Sequence, residues 1–143
     1  MNYLWLIFGL LSALFASLVA IFGKIGLKGI DTNVATAIRA VIMAAFLIIV
    51  VAFQGRLSKV SDVFADKKAI LFIVLSGVAG AMSWLFYFLA LKNGKVQQVA
   101  PIDRLSVVFA IVLAAIFLGE KVSFYTAIGV LLIAAGSIFV ALG

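Results

Sequence analysis

The feature that most constrains this chain is a set of long apolar segments whose number is odd. Five such segments lie at residues 4–23, 34–53, 69–91, 99–118 and 124–142. Each is close to the roughly 20 apolar residues that a helix needs to cross a hydrocarbon layer about 30 Å thick. An odd number of crossings puts the two termini on opposite sides of the membrane. The sequence therefore predicts an all-α, polytopic membrane protein, with one domain over residues 1–143.

The composition supports this prediction and leaves little mass outside the membrane. Hydrophobic residues make up 67% of the chain, charged residues only 11%, and the mean hydropathy is +1.37. Soluble globular domains are about half apolar and a quarter charged. Only residues 54–68 are numerous enough to form a surface turn or short helix between segments. The first segment has no basic residue before it and is long for a signal peptide, so we expect a retained helix.

Polar residues and glycines mark where the helices should begin and end. Asp31, Thr32 and Asn33 supply candidate N-cap oxygens for the second helix, and Ser123 is the candidate N-cap of the fifth. Asp66 precedes the third helix. Pro101 is expected in the first turn of the fourth helix, where its missing N–H costs nothing. Gly119 is expected to turn the chain from the fourth helix into the fifth.

The basic residues hardly favour either side of the membrane. On the side of the N-terminus the loops carry Arg56, Lys59, Lys67, Lys68 and Lys121. The other side carries Lys24, Lys28, Lys92 and Lys95 near the helix ends, with Arg39 and Arg104 just inside the helices. Orientation normally follows an excess of Lys and Arg on the cytoplasmic side. A balance of five against six predicts insertion in both orientations and a closed antiparallel homodimer. The alternative is one orientation, set by the N-terminus or by a partner protein.

The third segment carries a polar face. Ser76, Gly80, Ser83 and Tyr87 recur at helical spacing, with Gly77 and Trp84 at the edge of that face. Such residues either line a substrate pathway or form hydrogen bonds and close contacts between helices. We predict that the hydroxyls and rings line the pathway, and that Gly77 and Gly80 pack against a helix. Gly129 and Gly136 are predicted to pack in the same way.

Charged residues inside the segments are few, and we expect them to be functional. Arg39 lies about six residues into the second segment, whereas Asp103 and Arg104 lie at the start of the fourth. Asp103 is favourable there because it meets a helix N-terminus. We predict a contact between Arg39 and Asp103, with Ser106 on the same pathway. The alternative is that each charge reaches the lipid headgroups alone.

Several functions have no residues to support them. The chain has no Cys and no His, and no catalytic triad or phosphate-binding glycine loop, so we predict no metal site, no cofactor and no enzyme activity. No carboxylate lies in the middle of a segment, which leaves Asp103 as the candidate for proton coupling. The net charge is +6, but the basic residues are scattered singly or in pairs at helix ends. This pattern is typical of contacts with lipid headgroups rather than with nucleic acid.

Three runs of residues resemble a known family. They are VAPIDRLS at 99–106, FLGEK at 117–121 and GVLLIAAG at 129–136. Together with the TAIR run at 36–39, they resemble the EamA-type domain of the drug/metabolite transporter superfamily, in its single-domain, five-helix bacterial and archaeal branch. The resemblance implies one half of an inverted-repeat transporter, because most members carry two such domains in tandem. It also implies export of small metabolites, amino acids or amphipathic compounds.

These observations together predict a small secondary transporter in the plasma or inner membrane. It would work by alternating access as an antiparallel homodimer, with membrane lipid and a small-molecule substrate as its other partners. Two alternatives are a non-transporting scaffold subunit and a flippase for lipid-linked substrates, formed as a heterodimer with a paralogous chain.

Overall fold

The computed structural model describes residues 3–143, and helices are the only regular secondary structure in that range. The elements are α1 (Leu4–Gly26), α2 (Thr32–Phe53), α3 (Lys59–Ala65), α4 (Lys67–Asn93), α5 (Val96–Asp103), α6 (Leu105–Leu113), a π-helical turn (Ala114–Leu118) and α7 (Phe124–Leu142). Five segments are long and apolar enough to cross a membrane: α1, α2, α4, the composite segment Val96–Leu118, and α7. The all-α, five-span prediction is therefore confirmed.

The predicted N-caps Asp31 and Ser123 are confirmed, and Asp66 caps a helix as well. Asp31 Oδ1 accepts hydrogen bonds from the backbone N–H groups of the second and third residues after it, at 2.9 and 3.0 Å. Asp66 Oδ1 does the same for α4, at 3.0 Å in both cases. Ser123 Oγ accepts from the backbone N–H of Thr126 at 3.1 Å. These contacts satisfy donors that a helix start would otherwise leave without partners near lipid.

The loop between α2 and α4 contains a short helix, one of the two forms that the sequence left open. Gly55 has a φ of 66° just after α2, a conformation that glycine adopts without strain. The seven residues of α3 follow, and the apolar side chains of Val60 and Phe64 are exposed. An exposed apolar side chain beside several Lys and Arg residues is typical of a segment lying at the membrane surface.

The start of the fourth span differs from the prediction. The helix begins at Val96, so Pro101 is its sixth residue rather than part of its first turn. Asp103 is the last residue of α5, two turns inside the span, and not at the helix N-terminus. The earlier start arises because Gln98 Oε1 accepts the backbone N–H of Lys95 at 3.1 Å. This capping contact lets the polar residues before the apolar run become the first turns of the helix.

The same span is divided into three pieces. Arg104 separates α5 from α6, and its N–H lies within hydrogen-bonding distance of the carbonyl oxygens of both Ala100 and Pro101, at 3.3 and 3.1 Å. At the other end, the N–H of Gly119 reaches back five residues to the carbonyl of Ala114, which closes the π-helical turn. Gly119 then ends the span with a φ of 67°, confirming that the chain turns there.

The chain forms two compact units, each described separately here. Residues up to 25 together with residues 90–143 form one unit, and residues 26–89 form the other. In the first unit, α5 and α6 pack against α7, and a connection of five residues makes the fourth and fifth spans antiparallel neighbours. In the second unit, Thr32 and Thr36 are buried at the start of α2, where the Thr36 hydroxyl donates to the carbonyl of Thr32 at 2.7 Å.

Candidate functional site

An arginine and three aromatic residues form the candidate site in the second unit. Arg39 lies seven residues after the start of α2, which is about 10 Å along the helix axis. Its guanidinium carbon lies 3.7 Å from the ring centre of Trp84 and 4.4 Å from that of Phe88, both on α4. Tyr87 contacts both rings. We call Arg39, Trp84, Tyr87 and Phe88 the arginine–aromatic cluster.

The helical repeat of α4 builds the aromatic part of this cluster. Residues three and four apart lie side by side on a helix, and positions 84, 87 and 88 have this spacing. The rings of Trp84 and Phe88 stack at 5.5 Å with an angle of 25° between their planes. Tyr87 meets each of them edge-on, with centre-to-centre distances of 5.7 Å. Phe88 is only 3% exposed, so its ring is packed against the rest of the protein and forms the buried side of the cluster.

The electrostatics of the cluster are unusual for a membrane span. Neither α2 nor α4 contains an Asp or Glu, and Arg39 is the single charged residue of α2. Arg39 Nε is buried and has no hydrogen-bond partner among residues 3–143. The positive charge is stabilised by the electron-rich faces of two rings, a cation–π interaction.

The structure brings together some of the predicted pathway residues. Arg39, Trp84 and Tyr87 lie in one cluster, whereas Ser76 and Ser83 lie elsewhere on α4 with exposed side chains. Asp103 and Ser106 belong to the other unit, so the predicted contact between Arg39 and Asp103 stays a prediction. Sequence reasoning missed Phe88, although its position four residues after Trp84 was the signal that could have found it.

A second polar contact was also missed. The Lys24 ammonium, near the end of α1, donates to the carbonyl oxygens of Leu91 and Gly94 at the end of α4, at 2.7 Å in the case of Gly94. Lys24 is half-buried, and Leu91 is fully buried. Lys24 is separated from its two acceptors by 67 and 70 residues of sequence, so local spacing gave no sign of the contact.

The predicted packing glycines lie in open space within the single chain. A Cβ added at Gly77, Gly80, Gly129 or Gly136 would meet no heavy atom within 4 Å apart from the local helix backbone. Close packing at these positions therefore stays a prediction.

Two shallow apolar grooves lie in the first unit. The groove with a volume of about 460 Å³ lies between α5 and α7, and its polar side chains are those of Arg104 and Ser137. The other, of about 400 Å³, lies between the end of the fourth span and α7 and is almost entirely apolar. The second groove has no polar side chain that could orient a substrate, and the first has only Arg104 and Ser137.

Comparison with known proteins gives matches that extend over nearly the full length of the chain. A family model described as the EamA-like transporter family matches residues 3–142. A protein from Sinorhizobium sp., described as an uncharacterized transporter in the cobO 3' region, is 41% identical over 141 residues, which is 99% of each chain. No solved structure matched the chain.

Proposed function

We propose that this chain, which belongs to the EamA-like transporter family and is a multi-pass membrane transporter, works as one half of an antiparallel homodimer. Two copies with opposite orientations would enclose a cavity and expose it to each side of the membrane in turn. The solute would be a small metabolite, amino acid or amphipathic compound, moved outward across the plasma or inner membrane. The observation that carries this proposal is the match of one five-span chain to the family over nearly its full length.

The odd number of spans gives the homodimer its geometry. Two identical five-span chains in the same orientation are related by an axis along the membrane normal, whereas opposite orientations place that axis in the membrane plane. The second arrangement reproduces the inverted repeat found in many secondary transporters. The balance of basic residues across the two sides supports it, because neither orientation is favoured by charge.

The small number of buried side chains supports a second chain. No more than 6% of the residues in the most apolar stretch of any span are buried within the protomer. The faces that carry Gly77, Gly80, Gly129 and Gly136 leave room for close approach of another helix. Small residues are the ones that membrane helices use where their backbones approach closely.

The orientation test uses the natural absence of cysteine. Gly143→Cys places one thiol at the C-terminus, and a membrane-impermeant maleimide is added to intact cells and then to opened cells. We expect about half of the thiols to react in intact cells, because half of the copies have this end outside. Ser58→Cys, on the opposite side, should give a matching fraction. If each position reacted from one side of the membrane only, one in intact cells and the other only in opened cells, the antiparallel dimer would be contradicted.

The transport test uses purified protein in liposomes. Uptake of labelled amino acids and small metabolites by vesicles preloaded with the same compounds measures exchange and needs no knowledge of the coupling ion. We expect exchange of at least one compound by this chain alone. Exchange that appears only after a second, related chain is added would contradict the homodimer, and its absence in both cases would favour a scaffold.

A further inference from the structure

We propose that the arginine–aromatic cluster binds the carboxylate of a small organic anion with an apolar body, and this inference rests on the proposed transport function. In this cluster, Arg39 lies about two turns inside α2, and neither α2 nor α4 contains a carboxylate that could pair with it. The geometry of the cluster indicates the charge and the shape of the ligand that it would bind.

The stacking contact leaves the hydrogen-bond donors of Arg39 free. The guanidinium carbon lies 3.7 Å from the centre of the Trp84 ring, so the cation is in direct contact with that ring. The five N–H groups of a guanidinium point outward in its own plane. The rings therefore fix the position of the cation without using its donors, and Nε has no acceptor in residues 3–143.

A carboxylate is the group that best completes this arrangement. Its two oxygens match two parallel N–H groups of a guanidinium, and the resulting pair is strong and directional. A charge inside a membrane span is costly unless it is paired, and α2 and α4 supply no carboxylate of their own. A ligand anion would therefore be stabilised by the cation and would stabilise it in return.

The aromatic rings define the rest of the ligand. The side chains of Trp84 and Tyr87 are half-buried, so part of each ring is open beside Arg39. These rings offer an apolar wall to the hydrocarbon part of a ligand whose carboxylate lies on Arg39. Aromatic rings also bind cations, but here the Trp84 face already carries a cation, and a second one would meet like charge.

The test compares three probes of equal size and different charge. Butyrate, butyramide and n-butylammonium are titrated into the purified protein in detergent, with Trp5→Phe in place so that Trp84 is the single tryptophan. We expect a saturable change in Trp84 fluorescence with butyrate, and none with the amide or the ammonium ion. A saturable response to butylammonium with none to butyrate would overturn the proposal.

Variants of the two intramembrane arginines separate this site from general charge effects. Arg39→Gln should weaken butyrate binding about tenfold or more, since a hydrogen-bonded charge is lost. Arg104→Gln removes an arginine from another span and should leave the affinity unchanged. Arg39→Lys keeps the charge and should keep measurable binding, which guards against misfolding of the Gln variant. Equal affinities for Arg39→Gln and the parent protein would overturn the proposal.

The binding result and the transport result can fail separately. Butyrate binding that depends on Arg39, in a protein that moves no solute in liposomes, would leave the anion site intact and contradict the proposed function. Transport of a cation or neutral solute, with a butyrate affinity that does not depend on Arg39, would contradict the anion site and leave the transport function intact.

Discussion

The side-chain nitrogen of Lys24 lies 2.7 Å from the carbonyl oxygen of Gly94. It also donates to the carbonyl of Leu91, so one ammonium group satisfies two acceptors where α4 ends. The last four carbonyls of a helix have no partner within the helix. A positive charge at that end is favourable because it lies at the negative end of the helix dipole. Lys24 therefore links the end of the first span to the end of the third.

We predict that Lys24→Met lowers the free energy of unfolding by about 1–3 kcal/mol, because two carbonyls lose a charged donor. Unfolding in mixed micelles, followed by circular dichroism, measures the change. Lys28→Met is the matched control, since Lys28 is exposed and one turn further on, and it should change stability by less than about 0.5 kcal/mol. Equal effects of the two substitutions would contradict the capping role.

Two glycine substitutions should differ in cost. Gly119→Ala forces a side chain onto a backbone with a φ of 67° and should destabilise the protein by about 1 kcal/mol or more. Gly129→Ala lies within a helix, meets open space and should be close to neutral or stabilising for the protomer. The same unfolding assay compares them, and a larger loss for Gly129→Ala would show that its space is filled.

Bulky substitutions at the open glycines test whether a second chain occupies that space. Gly80→Leu and Gly136→Leu should reduce dimer formation, measured by energy transfer between labelled copies in lipid vesicles. The helical content of the protomer should not change. Ala44→Leu is the control because it enlarges an exposed small residue on α2, a helix without Gly or Ser. Unchanged energy transfer in both glycine variants would remove these faces from the interface.

Shifting the charge balance should fix the orientation. Arg56→Gln with Lys59→Gln leaves three basic residues on that side against six on the other, so the C-terminus should become cytoplasmic in almost all copies. Replacing Lys28, Lys92 and Lys95 by Gln should favour the reverse. Each variant alone should lose exchange activity, and co-expression of the two should restore it. Full activity of either variant alone would contradict the antiparallel dimer.

Asp103 and Ser83 give a direct test of the predicted pathway. Asp103→Asn and Ser83→Leu should each lower solute exchange several-fold while leaving dimer formation intact. The charge-swapped protein Arg39→Asp with Asp103→Arg should stay inactive if Arg39 binds the ligand carboxylate, because an aspartate at position 39 would repel an anion, whereas partial recovery would favour a pair between Arg39 and Asp103. Normal exchange in both Asp103→Asn and Ser83→Leu would exclude these two residues from the pathway.

The sequence predicted the features that depend on short stretches of chain. Span positions follow from runs of apolar residues, and the caps at Asp31 and Ser123 follow from the residue types that accept backbone N–H groups. The start of the fourth span was missed because the polar residues before Val99 are stabilised as helix by the Gln98 side chain. An apolar count alone does not register such a contact.

Contacts between distant residues could not be predicted in the same way. Trp84 was placed on the edge of a polar face, and Arg39 was assigned a carboxylate partner, because opposite charges suggest pairs in a sequence. The structure sets the guanidinium on two rings, an interaction that depends on the relative depth of α2 and α4, and the contact with Asp103 stays a prediction. Lys24 was counted only as a charge near the membrane surface, although its position makes it a helix cap.

The π-helical turn at Ala114–Leu118 has an evolutionary consequence. Its closing hydrogen bond spans one residue more than that of an α-helical turn. Deletion of a single codon there would permit an ordinary α-turn that still ends at Gly119, and it would rotate the preceding part of the span by about 100°. Relatives that differ here by a one-residue gap would therefore present another face of α5 and α6 to α7.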